Sequence, residues 1–480
     1  MMKTKWIFML MIGMLAMACT DDDDFSMSPS HTLTFSTDEV HLGTVFSAVP
    51  TATQSFWVYN RSGHSLRCRN IQLQNGNQTG FRVNVDGSYL SPTSGFQVSD
   101  VEIRKGDSIR VFVELTSPLN HQTEPIPLTD NLLFNLESGV QQIMPLGADT
   151  WDAAQVTDWV VSENTFFEST QPTIIYGGIT VAEGATLTIG AGTTLYFHPD
   201  AGINVHGRLV VQGTAEQPVV LRGDRIDNMF DYLPYDNVSG QWKGIHFYET
   251  SYDNSIDHAD IHSTCDAVVC DASDVSKLKL RLYNTIVHNC QGYGLRSVHS
   301  VVDVQNSQIT NTLADCVSIL GGVAYFLHCT IAQFYPFDGD RGVALRFTNY
   351  EGDNKYPLYA MDCVNTIVTG YADDVIMGDA DEEATYQFSF HHCLLRTPPI
   401  EDSDHVHDII WEPTDDEDGY GWHMFKVFDT DNLVYDFHLA EGAAAIGKAD
   451  PAESLPLDLS GTPRDAEPDL GCYEYVKTEE

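Results

Sequence analysis

Between Gly178 and Gly223 apolar and polar residues alternate in runs of three to five, and the runs repeat. Gly178-Ile179-Thr180-Val181 returns as Gly202-Ile203-Asn204-Val205, and Leu187-Thr188-Ile189 as Leu209-Val210-Val211. Leu195-Tyr196-Phe197 returns as Val219-Val220-Leu221. Period-two alternation this short, closed by turns rich in Gly, Thr, Asp or Pro, predicts brief strands with one face inside. Three strands per repeat of about two dozen residues predict coils stacked strand on strand, a parallel β-helix.

An interruption from Arg222 to Gln241 ends at Gly244-Ile245-His246-Phe247, which restores the pattern. Two apolar columns then continue: Ile245, Val268, Leu295, Val317, Val343 and Val375, and Ile261, Ile286, Ile309, Ile331, Ile367 and Leu395. Two residues before the second column stand Ala259, Asn284, Ser307, Cys329, Asn365 and Cys393. Small and amide side chains at equivalent turns predict an interior ladder, and Asn tolerates the φ of a tight corner. The alternative is a polar site made by Asn284, Asn365 and His392. Intervals along the first column run from 22 to 32 residues, and the longest carries an excursion from Asn349 to Tyr356. Extra residues in a stack of coils form loops on one face, often the binding face.

Residues 31–149 have a different texture. Phe56-Trp57-Val58-Tyr59, Ser108 to Leu115 and Leu132 to Leu136 are separated by turns such as Lys105-Gly106-Asp107. They predict an Ig-like β-sandwich without a Cys-Trp-Cys core, acting as a spacer. Residues 150–162 read as a joint, and 163–475 as the stack of coils.

At the N-terminus, Lys3 and Lys5 precede an apolar run from Trp6 to Ala18, too short to span a bilayer and typical of a secretory signal. Leu15-Ala16-Met17-Ala18-Cys19 resembles a bacterial lipobox, with its Leu one position farther from the Cys than usual. That resemblance implies a signal peptide over 1–18 and a lipidated (palmitate-bearing) Cys19. Asp21 to Asp24, in an acidic linker over 19–30, resembles the export signal of surface-exposed Bacteroidetes lipoproteins. It implies an outer-membrane protein facing the cell exterior.

The chain closes with Asp436-Phe437-His438-Leu439, Gly442 to Gly447, then Leu457-Asp458-Leu459-Ser460-Gly461-Thr462-Pro463-Arg464 and Pro468-Asp469-Leu470-Gly471-Cys472-Tyr473-Glu474-Tyr475. These segments, and the 223–245 insertion, resemble right-handed parallel β-helix proteins of that lineage. The resemblance implies a right-handed coil and a C-terminal end cap, but no single reaction, so it carries over no catalytic residue.

Lys plus Arg number 25 against 68 Asp plus Glu, a formal charge of −43. That field repels nucleic acid, and it disfavours polyanionic substrates unless calcium screens them. Ten Cys are present; without Cys19 nine remain, an odd number. No Cys-x-x-Cys or Cys/His spacing suggests zinc, so most of the nine read as small buried hydrophobes.

Two enzyme templates bear on a chain of this kind. A polysaccharide lyase needs cation help at a uronate and a basic residue near the α-carbon. Asp338, Asp340, Arg341 and Arg346 are the candidates, although Asp338-Gly339-Asp340-Arg341 is also ordinary turn sequence. A glycoside hydrolase needs paired carboxylates, and the polygalacturonase-like motifs are missing: Asn365-Thr366 precedes Ile367, and Asp373-Asp374 stands alone. Acidic loops at 379–383, 401–408 and 415–418 could hold calcium but lack the EF-hand pattern. Phe230, Tyr232, Tyr235 and Trp242 could stack on sugar rings or pack on the flank. The expectation is a lipid-anchored surface protein that binds a polysaccharide or another surface partner without catalysis or a cofactor. A carbohydrate-active enzyme and a purely structural protein are the alternatives.

Overall fold

The computed structural model describes residues 24–230, 232–401, 404–415 and 417–477. The signal segment 1–18, Cys19 and Asp21 to Asp23 lie outside the described residues, as do Asp231, Asp402, Ser403 and Asp416 in the acidic loops and the insertion. The chain divides into two compact units, Met1–Asp152 and Ala153–Glu480.

In the first unit, Thr34–Phe35, Gln54–Tyr59, Ser108–Leu115, Phe81–Val85 and Ser88–Tyr89 form one five-stranded sheet. Val40–Phe46, Gln141–Trp151, Ile126–Leu136, Leu66–Leu73 and Gln97–Ile103 form the other. All pairings are antiparallel except that of Val40–Phe46 with Gln141–Trp151. Alternation puts Phe56, Val58, Val83 and Val111 of one sheet into the same apolar core as Ile71, Leu132 and Phe134 of the other.

The second unit is built on a 26-stranded sheet in which each strand pairs in parallel with a partner about three strands later. Residues 150–162, expected as a joint, are strand at both ends. Trp151 closes Gln141–Trp151, and Ala154–Val161 pairs with Thr173–Val181. Three ladders result, and one apolar cluster of buried residues runs through them from Val161 to Leu395. This pairing is compatible with stacked coils. Gly178 and Gly244 turn the chain with φ of +110° and +82°, and a Cβ on Gly244 would lie 1.7 Å from the Asp266 carbonyl oxygen.

Register is where reading and structure part. Ile179↔Ile203 and Leu187↔Leu209 pair as the repeat predicts, as do Ile245↔Val268↔Leu295↔Val317. Leu195, however, pairs with Leu221 rather than Val219, and Val317 with Leu345 rather than Val343. A slip of two leaves every side chain on its own face, so alternation cannot detect it. One-residue errors occur where two apolar residues adjoin: Val287, Val368 and Ile376 fill the columns assigned to Ile286, Ile367 and Val375.

This shift relocates the Asn residues. The small-residue column is Ala259, Thr285, Ser307, Cys329, Thr366 and Cys393. The residue before each is the corner itself: His258, Asn284, Asn306, His328, Asn365 and His392, with φ of 48°, 47°, 51°, 50°, 51° and 47°. Asn and His are among the side chains that accept left-handed backbone most readily. Each corner N–H donates to the next rung's carbonyl, and Asn306 Nδ2 donates to Asn284 Oδ1 at 2.8 Å. Asn284, Asn365 and His392 are therefore turn residues in one column. Asn284→Val should cost about 1–2 kcal/mol more than Asn284→Gly, seen as a lower urea midpoint, because only the β-branched residue is strained there.

The C-terminal segment, expected as a cap over the last coil, instead runs back along the flank. Gly471 N–H donates to Asn365 O at 2.8 Å, Cys472 N–H to Thr330 Oγ1 at 3.1 Å, and Tyr473 Oη to Gln308 Oε1 at 3.0 Å. Outward-facing Ile367 and Leu394, with Phe334, pack against Met424, Phe437, Leu459 and Leu470. Covering that apolar flank is the physical reason for the return. The nine described cysteines are free thiols, all buried except Cys265, which is half-buried.

Candidate functional site

Ala259–His262, Ile286–Cys290 and Gln308–Thr312 are successive strands of one ladder. Ile261, Val287 and Ile309 point into the core, so Asp260, His262, Ile286, His288, Gln308 and Thr310 take the outer face. Parallel register sets His262 beside His288. Their rings stack 4.8 Å apart, the spacing of neighbouring strands. Asp260, two residues before His262 and on the same face, reaches both: its Oδ1 lies 2.8 Å from His262 Nδ1 and 3.1 Å from His288 Nε2.

The insertion 222–241 closes one side. It forms a small hairpin, Asn228–Phe230 with Leu233–Pro234, then a helical turn, Tyr235–Asn237. Asp236 in that turn pairs with Arg222 and faces His262 Nε2 at 3.5 Å. Ser263 Oγ and Asn289 Nδ2 donate to the Asp236 carbonyl at 2.9 and 3.2 Å, which fixes the turn against a second left-handed corner made by Ser263, Asn289 and Asn311.

The returning strand Val434–Leu439 forms the opposite wall. His438 Nδ1 lies 2.5 Å from Asp436 Oδ1 and its Nε2 3.1 Å from Ser460 Oγ, while its ring stacks on Tyr473 at 3.9 Å. Asn237 Nδ2 donates to the Leu433 carbonyl at 3.2 Å, joining the two walls. Between them lies a hollow of about 240 Å³, lined by Asp260, His288, Asn289, Gln308, Thr310, Asn311, Asp436, His438 and Tyr473 among others.

Burial opposes ionisation of Asp260, but the charges and hydrogen bonds of His262 and His288 outweigh it and hold the carboxyl well below its usual range. Burial likewise opposes protonation of His262, but Asp260 and Asp236 outweigh it and raise its pKa to about 9. Asp236 and Asp436 are also lowered, their burial overcome by hydrogen bonds from His262 and His438 respectively. Two carboxylates line the hollow, Asp260 between two imidazoles and Asp436 paired with His438 and, at 3.5 Å, with Lys426; among the described residues no Lys or Arg side chain lines it.

The four aromatic candidates separate. Trp242 is fully buried, stacked on Phe197 at 4.2 Å, with its indole Nε1 donating to the His262 carbonyl at 2.8 Å. It belongs to the core, not to a ligand surface. Tyr235 lies under the Arg225 guanidinium at 4.1 Å. Phe230 and Tyr232 are exposed and stacked on one another at 5.7 Å.

The lyase candidates do not assemble. Arg346 makes two hydrogen bonds to Asp315, at 2.6 and 3.1 Å, and Arg341 lies 4.7 Å over the Tyr371 ring. Asp338 accepts the Asp340 N–H at 2.9 Å in an exposed turn. In the 379–383 loop, Lys355 pairs with Asp381 and Glu383, and Tyr350 Oη donates to Asp379 at 2.5 Å. A second hollow, of about 200 Å³, contains Arg396, already paired with Glu412 at 2.6 Å.

Comparison with known proteins adds little. No family model matches the chain. A 51-residue stretch, 11% of the chain, is 49% identical to part of Protein bark beetle of Drosophila melanogaster and covers 2% of that protein's length. The ASH/PapD-like domain of human CEP192 (PapD-like domain 7) aligns over 28% of this chain and 98% of its own, with 10% identity. Its TM-score of 0.17 is too low to bear on the fold. The fold itself defines the class: an all-β protein with one large parallel sheet and separate antiparallel sheets.

Asp260, His288, Asp436 and His438 did not emerge from the pattern of residues. Asp260-x-His262 and His288 lie on neighbouring strands of the ladder, and the sequence interval between ladder neighbours varies, so no short motif links them. The available signal was position: polar residues flanking Ile261 and Val287 must face outward.

Proposed function

We propose that this chain is a lipid-anchored outer-membrane protein facing the cell exterior, attached through Cys19. In this reading residues 31–149 are an Ig-like stalk, and residues 163–475 a right-handed parallel β-helix that binds glycans without catalysis. The hollow between the Asp260 ladder and the Val434–Leu439 strand supports the reading most strongly. Its carboxylate, amide, hydroxyl and imidazole groups suit a hydroxyl-rich ligand held by many hydrogen bonds. Lining carboxylates with no Lys or Arg among the described lining residues, on a chain of charge −43, favour neutral or cationic sugars over uronates. The exposed Phe230–Tyr232 pair, on the same insertion as Asn237, offers a stacking surface.

The test uses a panel of labelled neutral, aminated and uronate glycans on intact cells. Cells carrying the full chain should retain a neutral or aminated glycan without releasing products, whereas cells carrying Cys19→Ala should not. Release of reducing or unsaturated ends would favour a carbohydrate-active enzyme. No retention of any glycan would leave a structural role.

A further inference from the structure

We propose that Asp260, His262 and His288 form a site for a divalent transition metal, with zinc as the matching ion, at the floor of the hollow. The inference stands on ligand geometry alone and does not depend on glycan binding.

One carboxylate oxygen and two imidazole nitrogens converge here, all within 4.8 Å of one another. Zinc holds such N and O ligands at about 2.0–2.2 Å, which places tetrahedral neighbours roughly 3.3–3.6 Å apart. The observed separations of 2.8 and 3.1 Å from Asp260 to the two imidazoles are slightly closer. Two imidazoles and a carboxylate select zinc or a similar borderline ion over calcium or magnesium, which prefer all-oxygen shells.

The ladder makes the site rigid. Asp260 and His262 share one strand face, and His288 is fixed beside His262 by register, so all three donors stand on strands rather than on loops. Support behind them is also built in. Zinc-bound imidazoles usually donate their other N–H to a carboxylate, which fixes the tautomer and strengthens the ligand. His262 Nε2 faces Asp236 Oδ1 at 3.5 Å and has no other hydrogen-bond partner among the described residues. Asp236 is oriented in turn by Arg222. His262 itself is 6% exposed, whereas the Asp236 side chain is half exposed. Asp260 and His288 also line the hollow, so a fourth coordination position opens to water or to an oxygen of whatever occupies it. In the insertion 222–241, Asp236 is then a positioning residue for the metal.

The full chain, stripped with chelator, is titrated with zinc against a chromophoric competitor, and cobalt is added in a parallel sample. The expected result is one ion per chain and a visible cobalt band typical of four- or five-coordinate N/O ligation. His288→Ala should weaken zinc at least 100-fold. Asp236→Asn should weaken it by about 10–100-fold while leaving the stoichiometry at one. Asp436→Asn, on the opposite wall, should leave affinity unchanged. Absence of stoichiometric binding by the native chain would overturn the proposal, whatever the variants do. Equal affinity in His288→Ala would overturn it too, because the ion would then sit elsewhere.

Discussion

Trp242→Ala is expected to lower the stability of the second unit by about 3–5 kcal/mol, the largest loss of any single substitution considered. Three contributions add. The indole is fully buried, so its removal leaves a cavity among rigid strands. Its ring stacks on Phe197 at 4.2 Å and 10°, an aromatic contact that Ala cannot replace. Its Nε1–H donates to the His262 carbonyl at 2.8 Å, a buried hydrogen bond that Ala cannot make. Phe230→Ala and Tyr232→Ala should each change stability by no more than about 0.5 kcal/mol, because both rings are exposed. Chemical denaturation of the three variants separates packing from ligand contact within one insertion. Comparable losses in all three would show that the exposed pair is also structural.

His328 is expected to make the flank acid-labile. Burial, with the Arg464 charge next in weight, lowers its pKa to about 3. The unfolded chain has an ordinary His near 6.5, so between those values the unfolded state binds more protons and stability falls as pH drops. His328 Nδ1–H donates to the Gly471 carbonyl at 3.2 Å, which leaves Nε2 to accept from Ser454 Oγ at 3.0 Å and Asn365 Nδ2 at 3.2 Å, so the C-terminal segment depends on it directly. From pH 6.5 to 5 the loss should be about 2 kcal/mol, with the contribution fully present above pH 6.5. Asp469 acts the other way. Burial raises its pKa to about 6, so it adds stability as pH falls through 6 toward 4. The clean comparison is therefore native against His328→Asn, which keeps a residue suited to the 50° corner and removes the titration. The stability difference between the two should shrink or reverse as pH falls from 6.5 to 5. A difference independent of pH would mean that His328 is not held neutral.

How much of this was readable beforehand depends on the kind of information. Alternation around Ile179, Ile203 and Ile245 marks strands and their inward face, because burying a β-branched side chain outweighs other local preferences. The same alternation is blind to a two-residue slip, hence the errors at Val219 and Val343. It is ambiguous where apolar residues adjoin, hence those at Ile286 and Ile367. Asn284 and Asn365 were legible as corner formers but were placed one position out of column. His258, His328 and His392 alternate with them as equivalents, because His also tolerates left-handed backbone. The hollow was half legible. The interruption at 222–241 supplies one wall of the hollow through Asn237, whereas the aromatic residues for which it stood out do not line it. The opposite wall needs Val434–Leu439 to return along the flank, and nothing local in the chain signals that route.

If the hollow between the Asp260 ladder and Val434–Leu439 holds the ligand, filling it must weaken binding. Asn237→Trp tests it most directly, since Asn237 lines the hollow from the insertion and gives up only one hydrogen bond, to the Leu433 carbonyl. Affinity of the purified full chain for the glycan captured by the panel is measured alongside the melting profile. The account predicts an unchanged profile and at least tenfold weaker binding, because an indole fills much of the available space. Undiminished affinity in a folded Asn237→Trp protein would contradict it and move the ligand to another face.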